Sequence, residues 1–131
     1  MKALEKFKED TYAKLLGMSI TKVSEGYAEV EMTLTDDMLN FHGSANGGAI
    51  FSLADAAFAY ASNSHGQTAV GITMTTHFVS PAKSGDKLTA VASEDNKSSR
   101  LGLYRIEVKD EAGTLVSLSE GMVYRKNENF V

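Results

Sequence analysis

The 131-residue chain contains no cysteine. Disulfides, thiolate catalysis and cysteine-based zinc or iron–sulfur sites are therefore excluded, and an acidic or hydroxyl-based chemistry is what remains. No apolar run reaches membrane-spanning length. Residues 1–16, MKALEKFKEDTYAKLL, interleave charges with apolar positions, which is not the pattern of a secretory leader, so a cytoplasmic address is the expectation. A basic excess is also missing: the formal net charge of −4 argues against nucleic acid as partner, and an anionic small ligand would need a local basic patch. Linkers, internal repeats and low-complexity tracts are absent, so residues 1–131 read as one domain. With 43% hydrophobic and 23% charged residues, the composition is that of a chain able to bury a core.

The apolar residues change period along the chain. Leu4, Phe7, Tyr12, Leu15 and Leu16 fall near one side of a 3.6-residue period, which predicts a short amphipathic helix ending near Gly17. In Tyr27–Leu34 the period is two, with Ala28, Val30, Met32 and Leu34 on one face. This strand is expected to pair with Met18–Val23 through the turn Ser24-Glu25-Gly26. Thr35–Asn40 reads as a connector. Four more strands are expected at about Ala69–Val79, Lys87–Glu94, Leu101–Lys109 and Leu115–Arg125, joined by short polar turns as an antiparallel meander. Leu101 and Leu103 are out of step with Tyr104, Ile106 and Val108, which suggests a bulge near Gly102.

Between the second and third strands runs NGGAIFSLADAAFAYASN, residues 46–63. Asn46 is a good N-cap, and Gly47-Gly48 leave the first backbone N–H groups uncovered by side chains. From Ala49 to Ala61 only Ser52, Asp55 and the Tyr60 hydroxyl are polar, so the helix is expected to be buried on all sides. One curved sheet covers one side; a second copy of the chain would cover the other. Asp55 then carries a cost, because a buried unpaired carboxylate is destabilising or becomes protonated. It either hydrogen-bonds a neighbour and fixes register, or serves as nucleophile or general base at a cleft wall. A helix N-terminus in the same segment favours the second reading. Gly48 and Asp55 lie seven positions apart, on one face but roughly 10 Å apart along the axis. One substrate carbonyl cannot touch both in one chain, so the two groups would come from antiparallel helices of a dimer.

These residues resemble the hotdog-fold acyl-CoA thioesterases, in the phenylacetate-degradation (PaaI-like) branch, over essentially the whole chain. The segments that carry the likeness are Met38-Leu39-Asn40, Gly47-Gly48, Phe51 to Ala61, Phe78-Val79-Ser80-Pro81 with Gly85-Asp86, and Gly102-Leu103-Tyr104. The resemblance implies an α+β hotdog fold, in which a curved antiparallel sheet of about six strands wraps one long central helix, with a short N-terminal helix. It implies hydrolysis of an arylacetyl or short- to medium-chain acyl-CoA, without metal or redox cofactor, coenzyme A being part of the substrate. By similarity Asp55 is the catalytic carboxylate, Gly47 supplies the N–H that polarises the carbonyl, and Asn40 lies near the site. Active sites at a dimer interface, and dimers paired into a homotetramer, belong to the same expectation. Two positions depart from the family pattern. Asn46 stands where a histidine is usual, able to cap the helix and to donate through its amide. Gly71 stands where some members use a serine, with Thr73 on the same strand face as the substitute.

Other chemistry has less support. His42, His65 and His77 lack zinc-site spacing. Ser44 and Ser52 lack a nucleophile elbow, and Gly43–Gly48 is not a phosphate loop. For the phosphates of coenzyme A the candidate patch is Lys97-Ser98-Ser99-Arg100, either a grip for an anion or a solvated turn. His42 is near enough in sequence to the helix start to line the site. The rival functions are a non-catalytic acyl-CoA or lipid-binding hotdog module, and a hotdog hydratase, for which the Asp-x₄-Asn-x₂-His pattern is missing.

Overall fold

Helix α3 (Gly47–Asn63) is the axis about which the rest of the computed structural model, residues 1–131, is arranged. It is preceded by α1 (Lys2–Phe7), α2 (Thr11–Leu15), β1 (Ser19–Ser24), β2 (Tyr27–Thr33) and a 3₁₀ turn at Asp36–Met38. It is followed by β3 (Gln67–Phe78), β4 (Lys87–Lys97), β5 (Leu101–Lys109) and β6 (Leu115–Asn129). The six strands form one antiparallel sheet in the order β1-β2-β4-β5-β6-β3, curled around α3 as a hotdog fold.

The period-two residues point at the helix. Ala28, Val30 and Met32 of β2, Leu88, Ala90 and Ala92 of β4, and Tyr104, Ile106 and Val108 of β5 are all buried against Leu53, Ala54, Ala57 and Ala61 of α3. Alanines on both sides let the helix sit close to the sheet, and burial of this apolar area is the main favourable term in folding.

Three expectations need correction. The meander holds for β4-β5-β6, but β3 pairs with β6 at the far edge. The helix carries the chain across the concave face, so the next strand starts at the opposite edge. The segment 79–86 then returns to β2, where Gly85 N–H donates to Leu34 O and Leu34 N–H to Asp86 O. The bulge lies in β4, where Glu94 faces Tyr104 and Asn96 faces Leu103 with Asp95 extra. β5 keeps its alternation, with Gly102 buried and Leu101 and Leu103 on the outer face. Gly102 is required by packing instead: a Cβ there would stand 2.9 Å from the Tyr104 ring and 3.0 Å from Val123.

The N-terminal segment is two helices rather than one. Asp10 caps the second, its Oδ1 accepting from Ala13 N–H at 3.3 Å, and this new start breaks the periodic stripe. Ala3, Phe7 and Ala13 are buried, while Tyr12 is 57% and Leu15 75% exposed. The single chain covers α3 on one side and leaves the other open: Gly48, Phe51 and Asp55 are exposed, with Ser52 half-buried among them. No helix is long and apolar enough to cross a membrane.

Candidate functional site

The N-terminus of α3 is held by its own cap. Asn46 accepts from the Gly48 N–H at 2.7 Å, so of the two glycine donors one is consumed. The Gly47 N–H has no hydrogen-bond partner in the chain. It opens on a cleft of roughly 310 Å³ lined by Ala45, Gly47, Ile50, Phe78, Val79 and Pro81 among others. A Cβ on Gly47 would lie 3.3 Å from the Phe78 ring, so glycine gives a ligand the closest approach to this donor. Asn40 shapes the approach to the helix. Its Oδ1 accepts from the N–H groups of His42 at 2.9 Å and Ser44 at 3.3 Å, closing the loop that leads into Asn46.

Asp55 lies two turns further on, in a second cleft of roughly 300 Å³ formed with Phe51, Phe58, Gly71, Ile72, Thr73 and Met74. Phe58 fits there because β3 and β6 present glycines. A Cβ on Gly71 would stand 3.1 Å from its ring, and one on Gly121 2.8 Å. A serine at position 71 would therefore press on Phe58. The expectation that Thr73 shares a strand face with Gly71 is corrected by the bulge at Ile72. Gly71 pairs with the buried Val123, whereas Thr73 pairs with the outward Met122, so Thr73 reaches the cleft at its rim.

The carboxylate of Asp55 reaches solvent in the single chain, yet protein bulk crowds it. Burial first, and then the negative charge of Asp10, raise its pKa above the usual aspartate range. A carboxylate that is disfavoured as an anion is a better base. Gly47 and Asp55 are separated by about 12 Å along the axis, at 1.5 Å per residue, and face different clefts.

Both the sequence and the curled-sheet fold recur in known proteins. A family model described as the thioesterase superfamily matches residues 42–117. The acyl-coenzyme A thioesterase PaaI of Escherichia coli K12 is 44% identical over 119 residues, covering 91% of this chain and 85% of the relative. The chain is a PaaI-like member of the hotdog thioesterase superfamily. The structure of the E. coli PaaI protein from the phenylacetic acid degradation operon superposes with a TM-score of 0.94 at 42% identity, over 97% of this chain and 92% of that one. A mutant of the phenylacetic acid degradation protein PaaI of Thermus thermophilus superposes with a TM-score of 0.86 at 38% identity, over 89% and 100% of the two chains.

Against the thioesterase fold the remaining candidates can be placed. Ser98 is occupied by its own turn, its Oγ accepting from Leu101 N–H at 3.0 Å, while Ser99 and Arg100 are exposed at the β4–β5 hairpin. Arg100 Nη1 donates to the Tyr124 hydroxyl at 2.9 Å. Leu101 pairs with Tyr124 and Tyr124 with Val70, so this cation lies two strand spacings, about 10 Å, from the β3 end that carries Gly71. None of the three histidines lines either cleft. His42 is exposed against Phe41, His65 bonds Glu94, and His77 lies on the outer face beside Arg105.

Sequence reasoning missed the contribution of α2. Tyr60 of α3 donates to Asp10 at 2.6 Å, and the Tyr12 hydroxyl lies 3.2 Å from Ser52 Oγ, which donates to Gly48 O at 2.8 Å. Asp10 followed by Thr-Tyr-Ala carried a helix-start signal, but the longer stripe of apolar residues ran straight through it.

Proposed function

We propose that this chain hydrolyses the thioester of an acyl-CoA to a carboxylic acid and free coenzyme A, as a single-domain subunit of a homodimer. Each site would take Asp55 from one subunit and the Gly47 N–H from the other. The observation that carries the reading is an unpartnered Gly47 N–H and a base-strengthened Asp55 on the same helix, about 12 Å apart along its axis and so unable to act together in one chain. Antiparallel packing of two such helices would bring each donor opposite the partner's carboxylate. The unpaired edge of β3 supports the same assembly, since it leaves Val70 and Ile72 exposed on a twelve-residue strand. The outer face of β5 and β6, with Leu101, Leu103, Leu118 and Met122, is the surface through which two dimers would pair as a homotetramer.

In the reaction the Gly47 N–H, at the positive end of α3, hydrogen-bonds the thioester oxygen as it gains charge. Asp55 either takes a proton from the water that attacks the carbonyl carbon, or attacks that carbon itself to give an anhydride that water cleaves. In both cases the C–S bond breaks and the thiolate leaves to be protonated. Asn40 and Asn46 hold the loop and helix start that aim the donor, and Thr73 at the rim offers a hydroxyl to the water. Ser98, Ser99 and Arg100 would meet the nucleotide phosphates. The relatives are named for phenylacetic acid degradation, and Phe51 and Phe58 offer aromatic faces, so arylacetyl groups head the acyl candidates.

The test is release of free thiol from phenylacetyl-CoA and from short- and medium-chain acyl-CoAs by the parent protein and by Asp55→Asn. The reading expects turnover by the parent and a loss of at least about 100-fold in kcat for the variant, with an unchanged melt. Near-parental hydrolysis by Asp55→Asn would reduce Asp55 to a structural residue.

A further inference from the structure

Helix α2 meets α3 through polar contacts that its short length does not require for packing. Asp10 is used twice: Oδ1 caps α2 through Ala13 N–H, and Oδ2 accepts the Tyr60 hydroxyl at 2.6 Å. Tyr60 is held in turn by Phe7, their rings stacked at 4.9 Å. Asp10 is thus fixed beside α3 at Tyr60 while Tyr12 meets Ser52, so α2 runs along the turns of α3 on either side of Asp55; burial first, and then the charge of Asp10, raises the Asp55 pKa. From α3 itself the neighbouring titratable group is Tyr60, whose phenol is pushed well above its usual range by burial and then by the bond to Asp10. From β3 the Asp55 cleft receives only Gly71, Ile72, Thr73 and Met74, none of them charged. Lys8 and Lys14 are the cations that share a cleft with Asp10 and Tyr60.

We propose that Asp10 is a positioning residue of the site: it docks α2 through Tyr60 on the helix that carries Asp55 and sets its own carboxylate beside that helix. The inference rests on the reading of Asp55 as the reacting carboxylate. It gives the N-terminal helices a chemical role in addition to covering Tyr60. A charge placed this way favours the protonated form of Asp55, and base strength and proton affinity rise together.

Asp10→Asn removes the charge and keeps the cap, because its Oδ1 can still accept from Ala13 N–H while its Nδ2, standing where Oδ2 was, donates to the Tyr60 hydroxyl oxygen. Asp10→Ser, which also caps, is the second variant should the first be unstable. The measurement is the pH profile of kcat/KM with a thermal melt at each pH, alongside carboxyl ¹³C NMR titration of Asp55, assigned by its disappearance in Asp55→Asn. Both Asp10 variants are expected to move the acidic limb and the Asp55 titration to lower pH, and to lower the plateau, with the melt retained. Glu5→Gln, an exposed charge on α1, is expected to move neither. An unchanged acidic limb and titration in a folded Asp10 variant, with Asp55→Asn inactive, overturns the role of Asp10 alone. An equal shift in Glu5→Gln also overturns it, as a general charge effect. An active Asp55→Asn overturns the reading beneath it.

Discussion

The shared-site model makes a prediction that no single-chain site can imitate. Asp55→Ala removes the carboxylate, and Gly47→Pro removes the donor. Proline is suited to position 47 because it is the first helical residue, its N–H has no partner to lose, and Asn46 already has the extended backbone, φ −62° and ψ 134°, that a residue before proline needs. The added Cβ would stand 3.3 Å from the Phe78 ring, a contact relieved by a shift of a few tenths of an ångström. Loss of an oxyanion donor costs on the order of 10²–10³ in kcat, so each variant alone is expected to retain about 1% of parental turnover or less. When the two are mixed and allowed to exchange subunits, random pairing makes about half the dimers mixed, and each mixed dimer holds one site with both defects and one with neither. Activity is then expected to recover to about a quarter of the parent value. The assay is thiol release against exchange time, with exchange followed independently by native mass spectrometry of isotope-labelled chains. Had both groups acted within one chain, every site in a mixed dimer would carry one defect, and activity would stay near 1%. Complete exchange without recovery refutes the model.

Two further outcomes follow from the hairpin and from the far end of the helix. Arg100→Ala is expected to raise KM for acyl-CoA several-fold, on the order of 1 kcal/mol for a charge-assisted bond, and to leave KM for an acyl-pantetheine thioester unchanged. Equal effects on the two substrates would remove Arg100 from phosphate binding. Glu94 accepts from the Tyr104 hydroxyl at 2.6 Å and lies 2.8 Å from His65 Nε2. Burial pushes its carboxyl upward, but the bonds from Tyr104 and His65 and the charges of His65 and Lys97 outweigh this, so its pKa lies below the usual glutamate range. A depressed folded-state value stabilises the protein fully above the unfolded pKa and ceases to do so as pH falls through the folded one. Glu94→Gln is therefore expected to cost about 2 kcal/mol near neutrality, a Tm drop of roughly 7 °C for a chain this size. The gap between the two melts should close below about pH 4; a gap independent of pH would refute the charged role of Glu94.

What the sequence revealed and what it withheld divide along the range of the interactions. Period-two alternation located β2 and the inward face of β5, and turn signals bounded the other strands, because both are local features of the chain. The cap at Asn46 and the lone carboxylate at Asp55 were legible for a similar reason, being local departures from a local pattern. Strand order was not, since nothing in residues 67–78 records that α3 has carried the chain to the opposite edge of the sheet. Nor was the fit of Phe58 against Gly71 and Gly121, which joins three elements and makes two glycines the space for one ring. Asp10 is the instructive case. As a cap it belongs to the local grammar, but its second bond, to a tyrosine fifty residues away, exists only after folding. The same side chain that begins a short helix is thereby set against the helix that carries the proposed reacting carboxylate. The residues that set the strength of a catalytic base are found by asking what charge the fold brings near it, and a one-dimensional pattern does not contain that information.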